Sequence, residues 1–261
     1  MNEPVLRVYQ YHKVYGSTVA VEDLSFDVLP GQIVGMLGPN GAGKTTTMRA
    51  LAGIIPPTRG RLIVGGHDVV SEPVAAKHCL AYVPDDPRLF ESLNVDEHIF
   101  FTARAYGIRD YEERAEELLR HFELDDKRHK LAQELSRGMR QKVAIVCAYL
   151  YKPRAILFDE PLTGLDPRAI RTLKESIRNE AANGVGIVVS SHLLDLVEDL
   201  CTDLLVMHEG QRLFFGPTTQ ARRAIEGMAD TATLEDVYFH LTEHPTPSME
   251  PSEPAQPAET A

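Results

Sequence analysis

Cysteine is scarce in this chain. It has three, Cys79, Cys147 and Cys201, an odd number with no C-x-x-C pair. That argues against a disulfide framework or a cysteine zinc site and fits a reducing compartment. Long apolar runs are missing as well. The longest, Val143 to Tyr151, falls far short of the roughly 20 residues that a membrane-spanning helix needs. The opening MNEPVLRVYQ has no basic stretch followed by an apolar one, so no signal peptide is expected. A membrane role therefore has to run through a partner. Positive charge is in deficit: 27 Lys and Arg stand against 38 Asp and Glu, a formal net charge of -11. A nucleic-acid binder needs the opposite, a basic footprint, so no nucleic-acid partner is expected. The acidity is spread between Glu112, Glu113, Glu116 and Glu117 on one predicted helix and Glu250, Glu253 and Glu259 near the end. Such charge reads as solvated surface. No internal repeat at a solenoid period is found.

What is present is ordinary globular material, 261 residues with 43% hydrophobic and 25% charged, enough to bury a substantial core. Val5–Tyr11, Leu24–Val28 and Ile33–Leu37 read as strands and Gly43–Ala52 as a helix. Ile54–Arg61, with Pro56, Pro57 and Gly60, reads as a loop, and Leu62–Val64 and Ala81–Val83 as further strands. From about Asn94 to Tyr151 the periodicity turns helical, most clearly in the amphipathic stretch Tyr111–Phe122 and in Arg137–Leu150. Ala155–Phe158, Pro167–Ala182, Val185–Ser190, Leu193–Leu200, Leu204–Met207 and Arg212–Phe215 then alternate strand and helix, with two strands at the end. Alternation on both sides of an all-helical insert predicts an α/β core with a helical subdomain. Thr233–Leu241 reads as a short helix. The stretch from Pro245, with five prolines, three glutamates and no aromatic residue, cannot form a packed core and is expected to be disordered.

The chemistry begins at residues 38–45, Gly38-Pro39-Asn40-Gly41-Ala42-Gly43-Lys44-Thr45. This is G-x-x-x-x-G-K-S/T, the P-loop (Walker A), set between a predicted strand and a predicted helix. Its glycines let the backbone curl so that successive N–H groups face phosphate oxygens, and the helix N-terminus adds partial positive charge. Lys44 is the candidate for the β- and γ-phosphates, Thr45 for Mg²⁺, and Thr46 for a further phosphate contact. The strand AILFDE at Ala155–Glu160 ends in two carboxylates. Asp159 is placed to organise Mg²⁺ through water, and Glu160 to polarise an attacking water as general base. Ser191-His192 follows the next apolar strand, where His192 could touch a γ-phosphate or the attacking water.

Leu135-Ser136-Arg137-Gly138-Met139 stands just before a predicted helix and ahead of the acidic strand. It resembles the Leu-Ser-x-Gly-Gln signature of the ABC ATPases. P-loop, signature, acidic strand, Leu165-Asp166 and His192 follow one another in that family's order over about residues 5–241. The resemblance implies an α/β fold, a P-loop NTPase (RecA-like) core with an N-terminal antiparallel β subdomain and a helical subdomain inserted before the Walker B strand. It implies one ABC ATPase domain over residues 1–241, with the helical subdomain at about 86–152, a short C-terminal helical extension at about 217–241 and a disordered tail, 242–261. ATP and Mg²⁺ are the implied cofactors. The implied assembly is a homodimer, or a pair with a similar ATPase subunit, around two ATP. In it Ser136 and Gly138 reach the partner's nucleotide, Asp166 acts across the interface, Glu160 is the base, His192 the γ-phosphate contact and Tyr15 the adenine stack, with Tyr11 the rival.

Two departures from the family pattern stand out. Asp85, followed by Asp86, occupies the place of a glutamine that serves nucleotide and metal, and Met139 closes the signature. Together with LSRGMRQKVAIV and LEDVYFHLT, they look like the bacterial ABC-2 export branch. That branch implies a separate transmembrane permease and a cytoplasmic, peripheral place on the inner face of the cell membrane. The permease is expected along Asp85–Phe101, where Leu89, Phe90 and Leu93 either line a docking groove or belong to the local core. The alternative is a soluble ABC ATPase of repair, chromosome or translation type. Those generally carry a coiled-coil insert, zinc cysteines or two cassettes in one chain. A GTPase or small-molecule kinase lacks support, since no N-K-x-D guanine reader is present.

Overall fold

A computed structural model describes residues 3–191, 194–221, 236, 238, 240 and 241. His192 and the stretch from residue 242 onward lie outside the described residues. Of the helix expected at Thr233–Leu241, the described positions 236, 238, 240 and 241 are helical.

Two sheets organise the chain. Strands β1 (Leu6–Tyr15), β2 (Thr18–Val28), β4 (Arg59–Val64) and β5 (His67–Asp68) form an antiparallel sheet in the order β2-β1-β4-β5. Strands β3 (Ile33–Leu37), β6 (Leu80–Val83), β7 (Ala155–Asp159), β8 (Gly186–Ser190), β9 (Asp203–His208) and β10 (Gln211–Pro217) form a second sheet, ordered β10-β9-β3-β8-β7-β6. It is parallel apart from the β9–β10 pair. Helix α1 (Lys44–Leu51) follows β3, and α2 (Pro73–His78) precedes β6. Between β6 and β7 run α3 (Val95–Ala105), α4 (Glu112–His121) and α5 (Arg137–Leu150). Then come α6 (Pro167–Ala182), α7 (Leu194–Leu200) and α8 (Thr218–Ala221).

The central strands β3, β7 and β8 are buried along their whole length, as continuous apolar runs in a sheet covered on both faces should be. The strand period of two then splits their side chains between two cores. Val34, Met36, Leu157, Val188, Leu205 and Met207 point to the layer made by α1 and the antiparallel sheet. Ile33, Leu37, Ile156, Phe158, Ile187 and Val189 point to the helical layer, where Leu118, Phe122, Val146, Tyr149, Leu173 and Ile177 pack.

The structure extends the sequence reading at two places. The first hairpin runs on to Tyr15↔Thr18, and β4 starts at Arg59, inside the stretch read as a loop, because β1 pairs with it out to His12↔Arg59. Cross-strand pairing overrides the local Pro and Gly signals there. The short elements β5, α2 and α8 leave too few residues for a periodic pattern to show.

Candidate active site

The C-terminal ends of β3, β7 and β8 lie side by side, and a parallel sheet binds ligands at that edge. A cleft of about 470 Å³ opens there, lined by Ala20, Pro39 to Thr46, Arg49, Tyr82, Pro84, Asp85, Asp86, Arg88, Asp159 and Glu160. So the structure gathers the P-loop and the acidic strand end, which are far apart in sequence, into one cavity.

Gly43 is the N-cap of α1 with φ 99° and no side chain capping the helix, so the first-turn N–H groups are left for a ligand. A β-carbon there would stand 2.7 Å from the Ala20 carbonyl oxygen, so the turn needs glycine. Lys44 is 8% exposed, and its ammonium donates to the carbonyls of Gly38 at 2.5 Å and Pro39 at 3.2 Å. Burial lowers its pKa, opposed by the nearby carboxylates of Glu160 and Asp159.

Asp159 is buried and accepts three hydroxyls. Ser190 donates at 2.6 Å and Thr45 at 3.3 Å to Oδ1, and Tyr82 donates at 3.2 Å to Oδ2. The Tyr82 phenol is pushed up to about 12, first by burial and then by the Asp159 charge. Glu160 sits at φ 49°, a left-handed conformation uncommon outside glycine and often found where a site is held under strain. The Glu160 N–H donates to the Ser190 hydroxyl at 3.1 Å and to the Ser190 carbonyl at 3.2 Å. One serine thus fixes both carboxylate positions.

Sequence reasoning missed Ser190 and Tyr82. The only local signal is a hydroxyl ending the apolar strand Val185–Ser190. Its meaning depends on the register Asp159↔Ser190. Ser190→Ala is expected to destabilise the fold by about 2 kcal/mol, since a buried charged acceptor loses a donor. That corresponds to a melting midpoint lower by about 5 °C in scanning calorimetry, and an unchanged midpoint would show the bond to be dispensable.

Of the other sequence candidates, Tyr15, Ser136, Gly138 and Asp166 are not part of the cleft lining. Tyr15 sits at the tip of the first hairpin, 47% exposed, with the Lys13 ammonium 4.8 Å from its ring centroid. Tyr11, its rival, is wholly buried. Ser136 is the exposed N-cap of α5 and accepts from the Met139 N–H at 3.3 Å. Gly138 lies against Gly164. Asp166 is the N-cap of α6, and the N–H of Ala169 at 2.9 Å holds its carboxyl below the usual carboxylate range. Asp85 lines the cleft, and its Oδ1 accepts from Arg137 at 2.6 Å.

Comparison with known proteins shows the family. The family model for ABC transporters matches residues 21–163. The ABC-type transporter ATP-binding protein EcsA of Bacillus subtilis (strain 168) is 35% identical over 230 residues, covering 87% of this chain and 92% of its own. Nod factor export ATP-binding protein I of Burkholderia pseudomallei (strain K96243) is 36% identical over 209 residues, 79% of this chain and 69% of its own. A solved ATP-binding subunit of an ABC transporter superposes with a TM-score of 0.87 at 36% identity, covering 91% of this chain and 99% of that one. Among the described residues no helix is long and apolar enough to cross a membrane. The chain belongs to the ABC transporter family, as a subunit that binds and hydrolyses ATP to drive transport.

Proposed function

We propose that two copies of this chain, or one copy and a similar ATPase subunit, close head to tail around two ATP and drive a separate permease that exports its cargo. The observation that carries this reading is the separation of motifs. Lys44, Thr45, Asp159 and Glu160 share a cleft, while the exposed Ser136 and the half-buried Gly138 stand at the start of α5, outside that lining. A helix start of this kind suits the γ-phosphate held by another subunit.

In this scheme the P-loop N–H groups and Lys44 hold the polyphosphate and Tyr15 stacks on adenine. Thr45 and Asp159 would hold Mg²⁺, which would supply charge neutralisation. Glu160 takes a proton from the attacking water as its oxygen bonds to the γ-phosphorus. The bond to the bridging oxygen breaks, giving ADP and phosphate. His192, outside the described residues, is the proposed γ-phosphate contact, and Asp166 the link across the interface. Export as the direction draws support from the branch-like sequence features and from the relative named for Nod factor export. A peripheral place on the inner face of the membrane follows from the same scheme.

The permease-facing surface is proposed at Phe90, Phe100 and Phe101, exposed by 55%, 48% and 51%. The rings of Phe90 and Phe101 are 5.2 Å apart at 73°. His98 fixes the turn that presents Phe90: its Nε2 accepts the Phe90 N–H at 3.0 Å, while Nδ1–H donates to the Asn94 carbonyl at 2.7 Å. Leu89 packs instead against the helical core, and Leu93 is half-buried. Phe101→Asp should lower recovery of the chain with the membrane fraction about tenfold, as a charge does at the centre of an apolar contact. ATP turnover of the free chain should stay within about twofold, since the side chain touches no part of the cleft. Full membrane recovery would remove these phenylalanines from the interface. Finding the parent chain only with soluble proteins would favour the non-transport reading.

A further inference from the structure

Arg137, the variable residue of the signature turn, occupies a position that helix electrostatics disfavours. It is the first residue of α5, where a cation opposes the helix dipole. Its guanidinium reaches across to the loop after β6. Nη2 donates to Asp85 Oδ1 at 2.6 Å and to the Asp85 carbonyl at 3.3 Å. One turn further along α5, Gln141, 1% exposed, donates from Nε2 to the Pro84 carbonyl at 3.4 Å. The Arg137 stem passes over Gly164, where a β-carbon would lie 3.3 Å from Cδ. Three segments meet on this side chain: the signature turn, the Pro161–Asp166 loop, and the Pro84–Asp85 loop that lines the ATP cleft.

Stability does not account for the arrangement. The two side chains are 41% and 48% exposed, and exposed pairs of this kind add little to a fold. A placement that breaks a local rule without a gain in stability points to function. Asp85 is the charged member that lines the cleft, so a polyphosphate bound there would act on the pair through its charge.

We infer that Arg137 is a positioning residue that reports occupancy of its own ATP cleft, through Asp85, to the signature turn that serves the other subunit's ATP. This role rests on the dimeric reading above. Since the turn acts in trans, Arg137 governs turnover in the assembled state and leaves affinity for ATP in its own cleft nearly untouched.

The test is a double-mutant cycle on the full chain, with Arg137→Gln, Asp85→Asn and both together, and Arg137→Lys as the conservative variant. Gln keeps much of the stem that packs on Gly164, and Asn keeps an oxygen toward the cleft. Steady-state turnover and affinity for a fluorescent ATP analogue are both measured. Arg137→Gln should lower kcat about tenfold, with affinity within about twofold of the parent, and Arg137→Lys should recover most of the loss. In the Asp85→Asn background the same substitution should cost less than about twofold, the non-additivity expected of a coupled pair. An equal cost in both backgrounds, no cost at all, or a loss of affinity matching the loss of turnover would overturn the inference. A parent chain that neither binds nor turns over ATP would instead sink the reading beneath it.

Discussion

Glu160→Gln is expected to lower steady-state ATP turnover by about 10²- to 10³-fold, the scale of a lost general base, while ATP remains bound. Glutamine is nearly isosteric, and the Glu160 backbone is held by two bonds to Ser190 that do not involve the carboxylate. The substitution therefore removes the proton acceptor and spares the scaffold. It also removes a negative charge that lies close enough to influence Lys44, which should favour a polyphosphate in the cleft. With hydrolysis stopped and binding kept, the ATP-bound dimer should accumulate. Light scattering after size exclusion should show a doubled mass with ATP and the single-chain mass without it. Near-normal turnover would place the base elsewhere, and Asp85 or Asp86 in the same lining would be next to test. The trapped form also suits isolation from solubilised membranes with ATP. A polytopic membrane protein in equal amount would identify the permease and narrow the cargo.

The site is legible in the sequence to the extent that its parts are local. The P-loop is one turn of backbone, and its Gly-Lys-Thr spacing carries its geometry with it. Asp159 and Glu160 are legible as candidates because a P-loop calls for acids to serve a metal and an attacking water, and an apolar strand ending in two carboxylates could supply both. The links that orient these groups are not local. Tyr82, Asp159 and Ser190 meet because β6, β7 and β8 are neighbours in register, and that order is fixed by sheet closure over more than 100 residues. Asp85 and Arg137 are 52 positions apart and meet only because α5 packs beside β6. The α/β core with its intervening helices is legible for a related reason: fully apolar strands and a long helical stretch each leave a pattern. Edge features such as β5, or the polar half of the first hairpin, depend on backbone pairing and leave none. Tyr15 and Tyr11 show the same limit. Both sit in one β-rich stretch, yet the fold buries Tyr11 and leaves Tyr15 nearly half exposed.

Lys44→Ala should weaken ATP binding about 100-fold, close to 2.7 kcal/mol. The ammonium stands among the carboxylates of Asp159 and Glu160, and both favour its charged form against burial. Without it, a polyphosphate entering the cleft meets two acids with one fewer cation to offset them. Arg49 and Arg88 also line the cleft, but neither emerges from the P-loop turn, where Lys44 donates to the Gly38 and Pro39 carbonyls. Thermal unfolding with and without ATP separates the binding effect from any loss of fold. A ligand at 100 times its dissociation constant stabilises by about 2.7 kcal/mol, a rise of several degrees in the parent. At the same ATP concentration the variant, bound about 100-fold more weakly, should gain only about 0.4 kcal/mol. Its own midpoint without ATP should fall, because Asp159 and Glu160 lose a neighbouring cation, so the comparison is of the rise that ATP causes in each protein. A variant that keeps the full ATP-induced rise would mean that nucleotide is held by groups other than this lysine. The trapping experiment on Glu160 would then have to be read on a different site.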